Sequence, residues 1–506
     1  MSGPSINARM GAGVAAAAVA LGTAQLLSAF VSPASDARTA VGTAVVNLTP
    51  GPVKEWAIQT FGTSDKLFLS VMVLAGVGVL AAVSAIWERS RIPLGSLMIL
   101  VAGLAGSIAV LIRPGARVID ILPTVIGTVL GIAVLRVLTR PWAGDPEPAG
   151  PDTGRRRSLL TLAALGAGAA GGVGGVVLNR RLQSVSGDRE MFALPAVPAP
   201  APPVPPEVQP KAAGLPSFIT ANSDFYRIDT ALRVPQVSRT DWKLRIHGMV
   251  EREVTYSFAD LEKFEPVQKA VTLMCVSNPV GGDLISNAMW TGYRMRDILR
   301  ASGVRPDADM VLSTSVDGFT IGTPVEALTD DRDSLLAIGM NGEPLPTEHG
   351  YPARLVVPGL YGFVSATKWV VDLELTRFDR AEAYWTKLGW SAQAPIKTGS
   401  RIDLPRAGAR LNSGNVTIGG VAWAQHRGIK AVEVRIDDGP WQPATLGAAY
   451  SNDTWRLWTF DWQAAPGAHT VAVRATDNTG AVQTGELSSP MPDGATGWPT
   501  ISVDVR

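Results

Sequence analysis

The chain has 506 residues, of which 18% are charged and 46% hydrophobic, and it contains a single cysteine. Its formal net charge of +1 excludes a strongly basic nucleic-acid-binding protein. One cysteine excludes an intrachain disulfide, a zinc ribbon and a cysteine-held iron–sulfur cluster. Residues 1–150 hold 17 charged side chains and the other 356 residues hold 72, which indicates a membrane part followed by a soluble part.

Five apolar runs are long enough to cross a bilayer, which takes about 20 residues. They are residues 10–31, 67–87, 93–112, 118–138 and 159–178, within a helical transmembrane region that we place at 1–185. The first run follows Arg9 and also fits a signal-type segment. All histidines, from His247 onward, lie in the soluble part, so the membrane part has no histidine pair for a haem. Because Asp120 and Arg136 lie near the ends of their run, we expect anchoring helices and not a transporter.

Arginines in the short loops predict the orientation of these helices. Arg89 and Arg91 lie between the second and third runs, and Arg155 precedes the fifth. The positive-inside rule places these loops in the cytoplasm, so five crossings leave everything after residue 178 outside the cell membrane. The pair Arg156-Arg157 before an Ala/Gly-rich run also resembles a twin-arginine export signal, and an anchored helix end explains it equally well.

Residues 194–216 are dense in proline and predict an extended, semi-rigid spacer inside a linker at 186–216. Residues 217–400 then mix short apolar segments with short helices, which is typical of an α+β domain. The expected strands are 241–248, 270–275, 310–315, 335–340, 354–358 and 368–375, and the expected helices begin at 257 and cover 293–301. Residues 401–506 predict an immunoglobulin-like β-sandwich, with strands at 415–423, 431–437, 455–462 and 469–476.

The single cysteine is the first candidate for chemistry. Cys275 ends an apolar segment and precedes turn residues, so its thiol is placed to face a cleft, although buried structural cysteines show the same pattern. Further along, His349, Arg354 and Lys368 occur among glycines, a combination that suits an anion such as a phosphate. The residues alone therefore predict an anion-bearing ligand beside a thiol.

From about Phe225 to the carboxyl terminus the sequence resembles the sulfite oxidase family of molybdopterin enzymes. The resemblance rests on Cys275 with Asn278 three residues later, on WTGYRMRDIL at 290–299, on NGEPLP at 341–346 and on the HGxPxR…VVPG…KW pattern from His349. It implies an oxidoreductase with a molybdenum–molybdopterin cofactor and a dimerisation domain in the carboxyl-terminal sandwich, hence a homodimer. Since this cofactor is inserted in the cytoplasm before export, the resemblance agrees with a twin-arginine signal.

The resemblance also assigns roles to individual residues. Cys275 matches the molybdenum ligand, and a gapless count places Trp390 where the family has its catalytic pocket tyrosine. The positions that match cofactor-binding residues are Arg227, Asp229, Thr230, Asn278, Asp317, His349, Arg354, Ala366, Thr367 and Lys368.

One departure from the family bears on the substrate. The family's Cys-Ala-Gly-Asn-Arg-Arg reads Cys275-Val-Ser-Asn-Pro-Val280 here, so two arginines suited to a dianion such as sulfite are missing. Lys387 and Arg401 are either replacement cations or surface groups. Three hypotheses follow: sulfite-oxidase-like oxygen-atom transfer on a small molecule, reduction of a sulfoxide such as methionine sulfoxide, and a cofactor-free, membrane-tethered binding protein. As an enzyme, the chain needs a separate electron-transfer partner, a cytochrome or a quinone-linked protein.

Overall fold

The computed structural model describes residues 5–50, 53, 56, 60–61, 65–88, 93–113, 115–140 and 151–506. Its internal contacts divide the chain into two compact units. The amino-terminal unit consists of Met1–Ser184 and Ala231–Val234, and the carboxyl-terminal unit of Val185–Thr230 and Pro235–Arg506. Arg89 and Arg91, on which the predicted orientation partly depends, lie outside the described residues.

The described part of the amino-terminal unit is helical. Its long helices are α1 Ile6–Val31, α2 Ala37–Leu48, α3 Asp65–Ile86, α4 Leu94–Leu111, α5 Leu122–Thr139 and α6 Pro151–Leu182. Among the described residues, five helices are long and apolar enough to cross a membrane, and they coincide with the five predicted runs. Glycines let these helices approach closely, since a methyl group added at Gly22 of α1 would collide with the backbone of Gly168 in α6.

The carboxyl-terminal unit begins with an α+β domain built on two sheets. Its strands are β1 Lys243–Gly248, β2 Val254–Ser257, β3 Pro266–Met274, β4 Ile285–Arg294, β5 Met310–Ser315, β6 Thr320–Pro324, β7 Leu335–Met340, β8 Glu343–Pro344, β9 Arg354–Val356 and β10 Val370–Thr376. Short helices α7 Ser186–Glu190, α8 Met295–Arg300 and α9 Val325–Thr329 accompany them. One sheet has the order β2-β1-β10-β5-β6 and the other β3-β4-β7-β8, with β9 also paired to β7.

Local sequence explains several of these elements. The segment from Ser257 forms a reciprocal cap, because the Ser257 amide donates to the Asp260 carboxylate at 2.9 Å and the Asp260 amide donates to the Ser257 hydroxyl at 3.3 Å. The predicted helix at 293–301 is shorter than expected. Tyr293 pairs with Leu336 as the end of β4, so the helix begins only at Met295. Strand pairing therefore overrides the local helical pattern.

Residues from Gly399 onward form the predicted β-sandwich. Its strands are β11 Gly399–Leu404, β12 Arg410–Leu411, β13 Gly414–Trp423, β14 Ile429–Ile436, β15 Gln442–Pro443, β16 Thr445–Leu446, β17 Arg456–Ala464, β18 Gly467–Asp477 and β19 Thr500–Val505. The sheets β11-β13-β17-β16 and β12-β19-β18-β14-β15 enclose a core that includes Ile418, Val432, Trp458 and Val473. Apart from the parallel pair β12–β19, neighbouring strands in both sheets are antiparallel, and a core between two such sheets is typical of an immunoglobulin-like domain.

The proline-rich segment is extended, but it does not stand free as a spacer would. The Tyr450 hydroxyl donates to the Pro202 carbonyl at 2.6 Å, and the Ala448 amide donates to the Glu207 carbonyl at 2.8 Å. Val208, in a short 3₁₀ turn, is buried in the main core. Burial of apolar side chains thus holds this segment along the carboxyl-terminal unit.

Candidate active site

Cys275 lies directly after β3, at the start of the turn that leads to β4. Its amide donates to the Leu284 carbonyl at 3.0 Å, and its own carbonyl accepts from the Asn278 amide at 3.2 Å. The residue is only 9% exposed, so the thiol does not open to solvent as the strand-end position suggested. Burial raises the pKa of the thiol, and hydrogen bonds from Ser277 oppose that rise.

Two tyrosines stand close enough to Cys275 for a charge on its sulfur to raise their pKa, and the sequence analysis did not single out either of them. Burial raises the pKa of Tyr226, and a charge on Cys275 raises it further. Burial also raises the pKa of Tyr361 to about 12, with a smaller contribution from Cys275. The surroundings of the thiol are therefore partly polar and aromatic, and not a purely aliphatic core. Tyr226 immediately precedes Arg227 in the predicted cofactor stretch, which is the signal that could have identified it.

A buried cation marks the second part of the site. The Arg354 guanidinium, on β9, stands 5.1 Å from the ring centre of Trp290 and donates to the His349 carbonyl at 3.2 Å. Burial lowers the pKa of Arg354 to about 10. Burial, with the charges of Arg354 and Lys368, lowers the pKa of His349 to about 4, so this imidazole is neutral at neutral pH.

Lys368 and Arg227 converge on one carboxylate beside this pair. Lys368 Nζ lies 3.0 Å and Arg227 Nε 2.9 Å from the same oxygen of Asp229. Burial lowers the pKa of Lys368 to about 8, although the Asp229 carboxylate opposes the shift. Glu348 contributes a second carboxylate that feels the charge of Arg227. We name the five residues Arg227, Asp229, His349, Arg354 and Lys368 the cation pocket.

The cation pocket is built to receive an anion. Its three cations exceed the two nearby carboxylates; Arg354 is buried, and the Lys368 side chain is only 10% exposed. A buried positive charge without a full counter-charge is costly, and a phosphate removes that cost through charge-assisted hydrogen bonds. The donor set therefore fits the phosphate of a pterin cofactor.

The remaining predicted cofactor residues lie around this pocket. Ala366 and Thr367 directly precede Lys368, and the Thr367 hydroxyl is engaged with Ser313 at 2.6 Å. Asp317 sits in the turn between β5 and β6, where its carboxylate accepts from the Phe319 amide at 3.3 Å. That turn reaches the Lys368 segment, because the Val316 amide donates to the Trp369 carbonyl at 3.0 Å. Thr230 follows Asp229 in the chain and is the last residue of the segment Val185–Thr230 of the carboxyl-terminal unit.

A cavity of about 370 Å³ lies beside the Cys275 turn. It is lined by Met274, Asn278, Val280 and Tyr361 of the α+β domain and by sandwich residues that include Trp423. Asn278 is 2% exposed, and its Oδ1 accepts from the Leu284 amide at 2.8 Å. Its Nδ2 has no hydrogen-bond partner among the described residues. A buried donor without a partner thus lies in the same turn as Cys275.

The three residues that the sequence analysis considered for the substrate pocket belong neither to the cation pocket nor to the cavity lining. Trp390 packs on Phe363 and Trp385, with ring centres 5.7 Å and 6.0 Å away, and is part of the main core. Lys387 is exposed. Arg401 is neither a surface group nor a free replacement cation, because it is buried and its Nε lies 2.9 Å from the Asp403 carboxylate.

Comparison with known proteins places this site in a family. A sequence profile described as an oxidoreductase molybdopterin binding domain matches residues 231–385, and a bacterial Ig domain profile matches residues 400–483. Over 151 residues the chain is 33% identical to the uncharacterized oxidoreductase YuiH of Bacillus subtilis (strain 168), covering 30% of this chain and 73% of that protein. The chain belongs to the sulfite oxidase family of molybdopterin-dependent oxidoreductases.

Further comparisons give a partial sequence match and a likeness in fold. The mitochondrial sulfite oxidase of Rattus norvegicus is 29% identical over 289 residues, 48% of this chain and 52% of that enzyme, so the chain spans about half the length of these relatives. The sulfane dehydrogenase SoxCD of Paracoccus pantotrophus has a similar fold, with a TM-score of 0.50 and 24% identity over 56% of this chain and 81% of that chain. The predicted oxidoreductase class and molybdenum–molybdopterin cofactor are confirmed, against the hypothesis of a cofactor-free binding protein.

Proposed function

We propose that the protein is a membrane-anchored oxidoreductase that transfers an oxygen atom to or from a small molecule at a molybdenum–molybdopterin cofactor. The observation that carries this proposal is that Met274 and Asn278, which flank Cys275 in the chain, line a cavity in the same domain that contains the cation pocket. When bound, the cofactor supplies two-electron oxygen-atom chemistry. The chain's own residues hold the cofactor, exclude water and orient the substrate.

We assign the following roles to the site residues. The Cys275 thiol, whose pKa is raised by burial, releases its proton when its sulfur binds molybdenum, because a soft metal is ligated by the thiolate. Arg354, Lys368 and Arg227 hold the phosphate, and the neutral His349 ring offers its imidazole nitrogen to the pterin. The other proposed contacts, in part through the backbone, are Asp229, Thr230, Asn278, Asp317, Ala366 and Thr367. Trp390, which the family resemblance places at the catalytic pocket tyrosine, is proposed to support the site from the core through its ring contact with Phe363.

Two reactions fit this arrangement. Oxidation of sulfite takes up a water oxygen and releases two electrons and two protons, whereas reduction of a sulfoxide consumes two electrons and two protons and releases water. Val280 occupies a family arginine position in the cavity wall, and Lys397, the lining ammonium, is already bonded to Asp493 at 2.9 Å. The cavity wall therefore carries little free positive charge. A dianion such as sulfite needs cations around it, so this wall is the reason for keeping an uncharged sulfoxide as the second candidate substrate.

The surroundings of the enzyme are part of the same proposal. Five apolar helices support a multi-pass anchor at residues 1–185, with the linker at 186–216 and the catalytic and immunoglobulin-like domains at 217–400 and 401–506 outside the cytoplasm. Electrons pass between the cofactor and a separate cytochrome or quinone-linked partner. We also propose export through Arg156-Arg157 and dimerisation through the sandwich. Protease access to a carboxyl-terminal tag in intact cells tests the topology, since a protected tag contradicts it.

Side-by-side assays test the reaction. The full chain, purified in detergent from a host that makes the cofactor, should contain molybdenum and turn over sulfite with an artificial oxidant, or methionine sulfoxide with reduced viologen. Turnover of either substrate that is lost in Cys275→Ser supports the proposal. Molybdenum-loaded protein inactive on both substrates contradicts it.

A further inference from the structure

A four-residue stretch in the later half of the chain belongs to the amino-terminal unit. Residues Ala231–Val234 follow Thr230 and precede Pro235, and both of these neighbours belong to the carboxyl-terminal unit. We name Ala231–Val234 the inserted segment. It interrupts the carboxyl-terminal unit directly after Asp229 and Thr230, two of the proposed cofactor contacts.

Arg233 holds the inserted segment within the amino-terminal unit. Its Nη1 donates to the carboxylate of Asp36, the N-cap residue of α2, at 2.8 Å, and its Nη2 donates to Oδ1 of Asn179 in α6 at 3.1 Å. Asp36 and Asn179 are each only 1% exposed. Leu232 packs on α2, since a methyl group added at Gly42 would stand 2.7 Å from its side chain. The segment is therefore fixed by a charge-assisted hydrogen bond and by apolar packing.

The Asp36 carboxylate keeps its charge although it is buried. Burial raises the pKa of this carboxyl, but the charge of Arg38, hydrogen bonds from Thr39 and the charge of Arg233 together lower it below its ordinary value. A buried charge holds its partner firmly, because separating the two is costly. Arg38 supplies a second positive charge, so that replacing Arg233 does not leave Asp36 without a cation.

The proposed cofactor stretch at 227–230 depends on what holds its ends, because it contains no helix or strand. Before it, the Tyr226 amide donates to the Ser286 hydroxyl of β4 at 3.1 Å. After it, the chain enters the inserted segment. Asp229 and Arg233 are four residues apart, so their Cα atoms are at most about 14 Å apart. A shift at Arg233 is therefore transmitted to Asp229 over a short length of chain.

We propose that Arg233 is a positioning residue for the cofactor site, because its ion pair with Asp36 fixes one end of the stretch that carries Asp229. The amino-terminal unit then contributes to cofactor retention as well as to anchoring. This inference rests on the proposed function, in which Asp229 and Lys368 contact the cofactor. Without the ion pair, the stretch at 227–230 has one fixed end, and the Asp229 carboxylate leaves the Lys368 ammonium more often.

Substitutions on both sides of the ion pair test the inference in the full chain, purified in detergent. Arg233→Met removes the cation, and Asp36→Asn removes the anion but keeps an oxygen that caps α2. Each should speed pterin release about tenfold, the equivalent of one charge-assisted bond. The double variant should release pterin no faster than the faster single variant, because both changes break one interaction. Arg233→Lys keeps the charge and should stay within about threefold of the wild type.

Asp120→Asn is the matched control. Asp120 is also 1% exposed and belongs to the amino-terminal unit, but its carboxylate accepts from the Ser32 hydroxyl at 2.6 Å and from the Arg117 amide at 2.7 Å, outside the inserted segment. Pterin release from this variant should equal that from the wild type. Molybdenum content and the thermal unfolding midpoint are measured for every protein. If Arg233→Met does not fold, Asp36→Asn and Arg233→Lys decide the test.

The pH profile of pterin release distinguishes positioning from a general loosening of the fold. Burial lowers the pKa of Lys368 to about 8, the Asp229 carboxylate opposes this shift, and the charges of Arg354 and Arg227 add to it. When Arg233→Met frees Asp229 to move away, the pKa of Lys368 should fall further. The pH at which release quickens should then move down by about one unit, whereas a merely destabilised protein keeps the midpoint of the wild type.

The outcomes separate this inference from the proposed function. Protein without molybdenum overturns the proposed function. In molybdenum-loaded protein, four results overturn the inference and leave the proposed function standing. They are unchanged release in Arg233→Met and Asp36→Asn, additive effects in the double variant, equal acceleration in Asp120→Asn, and an unshifted pH midpoint in Arg233→Met.

Discussion

The cation pocket and the cavity beside the Cys275 turn differ in net charge. In the pocket, Arg354 is buried and Lys368 is largely shielded from solvent, and the cations there outnumber the carboxylates. In the cavity, the lining ammonium of Lys397 is neutralised by Asp493. Buried charge is kept only where a counter-charge arrives, so the pocket is suited to a permanently anionic cofactor and the cavity to a neutral substrate. In the proposed function, cofactor retention and substrate choice therefore depend on different groups of residues.

The largest effect is expected at Cys275, next to the cavity. Cys275→Ser replaces a soft thiolate by a hydroxyl, and we expect turnover to fall by more than about 100-fold, since even outer-shell changes at metal sites cost 10–100-fold. The thermal unfolding midpoint should stay close to that of the wild type, because the side chain changes little in volume. Retained turnover in a folded, molybdenum-loaded variant would remove the cysteine from the mechanism.

The charge surplus of the pocket is tested by Arg354→Met. This change keeps much of the side-chain length and removes the charge, so pterin should be retained about 10–100-fold less tightly. The released pterin is measured by fluorescence after gel filtration. Arg245→Met is the control, because Arg245, on β1, is an exposed arginine that forms an ion pair with Glu253. Equal pterin loss in both variants would show that the effect is a general one of removing positive charge.

The neutrality of the cavity is tested by adding a charge to it. Val280→Arg places a guanidinium in the half-buried wall position where the family has an arginine. We expect KM for sulfite to fall about tenfold or more, and KM for dimethyl sulfoxide to rise, because charge-assisted bonds favour the dianion. Leu487→Arg, at an exposed position outside the lining, is the control and should change neither KM. An unchanged preference in Val280→Arg would contradict the account of substrate choice.

The smallest effect is expected from pH. The pKa of Lys368 is about 8, below its ordinary value because of burial, so its ammonium charge is present below that pH and lost as the pH rises through it. A bound phosphate raises the pKa of Lys368 further, which means that the protonated lysine binds phosphate more tightly than the neutral one. As the pH rises from about 7 to about 9, the neutral form becomes more common and one charge-assisted bond is lost, so pterin release should quicken about tenfold. The neutral His349, with a pKa of about 4, contributes nothing in this range.

A lysine variant identifies the group responsible for that pH dependence. Lys368→Met should release pterin rapidly at both pH values, with a flat profile. A profile in Lys368→Met that is as steep as in the wild type would assign the titration to another group.

The sequence predicted those features that depend on local patterns. Strands β5 and β7 have the predicted bounds, because each is a short apolar segment between turn residues. Strand β4 was not predicted, and its last two residues were expected to be helical. It includes Asn287 and Gly292, which are poor strand formers that the neighbouring strands accommodate. Local composition does not reveal such pairing.

The sequence predicted which residues form part of the site, but not how all of them are buried or which distant residues join them. The motifs identified the residues of the cation pocket, and the structure brings them together. The presence of Trp423 in the cavity wall was not predictable, because the cavity is lined by segments that are far apart in the chain, one in each domain. The burial of Cys275 was not predictable either, because a strand-end position fits a buried thiol as well as a cleft-facing one. Periodicity and motif spacing carry no information about which distant side chains share a cavity.

The molybdenum K-edge X-ray absorption of the wild-type protein, compared with Cys275→Ser, tests the central claim most directly. The account predicts stoichiometric molybdenum in the wild type and one fewer sulfur neighbour at the metal in the variant. Protein purified from a host with an intact cofactor pathway that contains no molybdenum, or a metal whose sulfur neighbours are the same in both proteins, would contradict it.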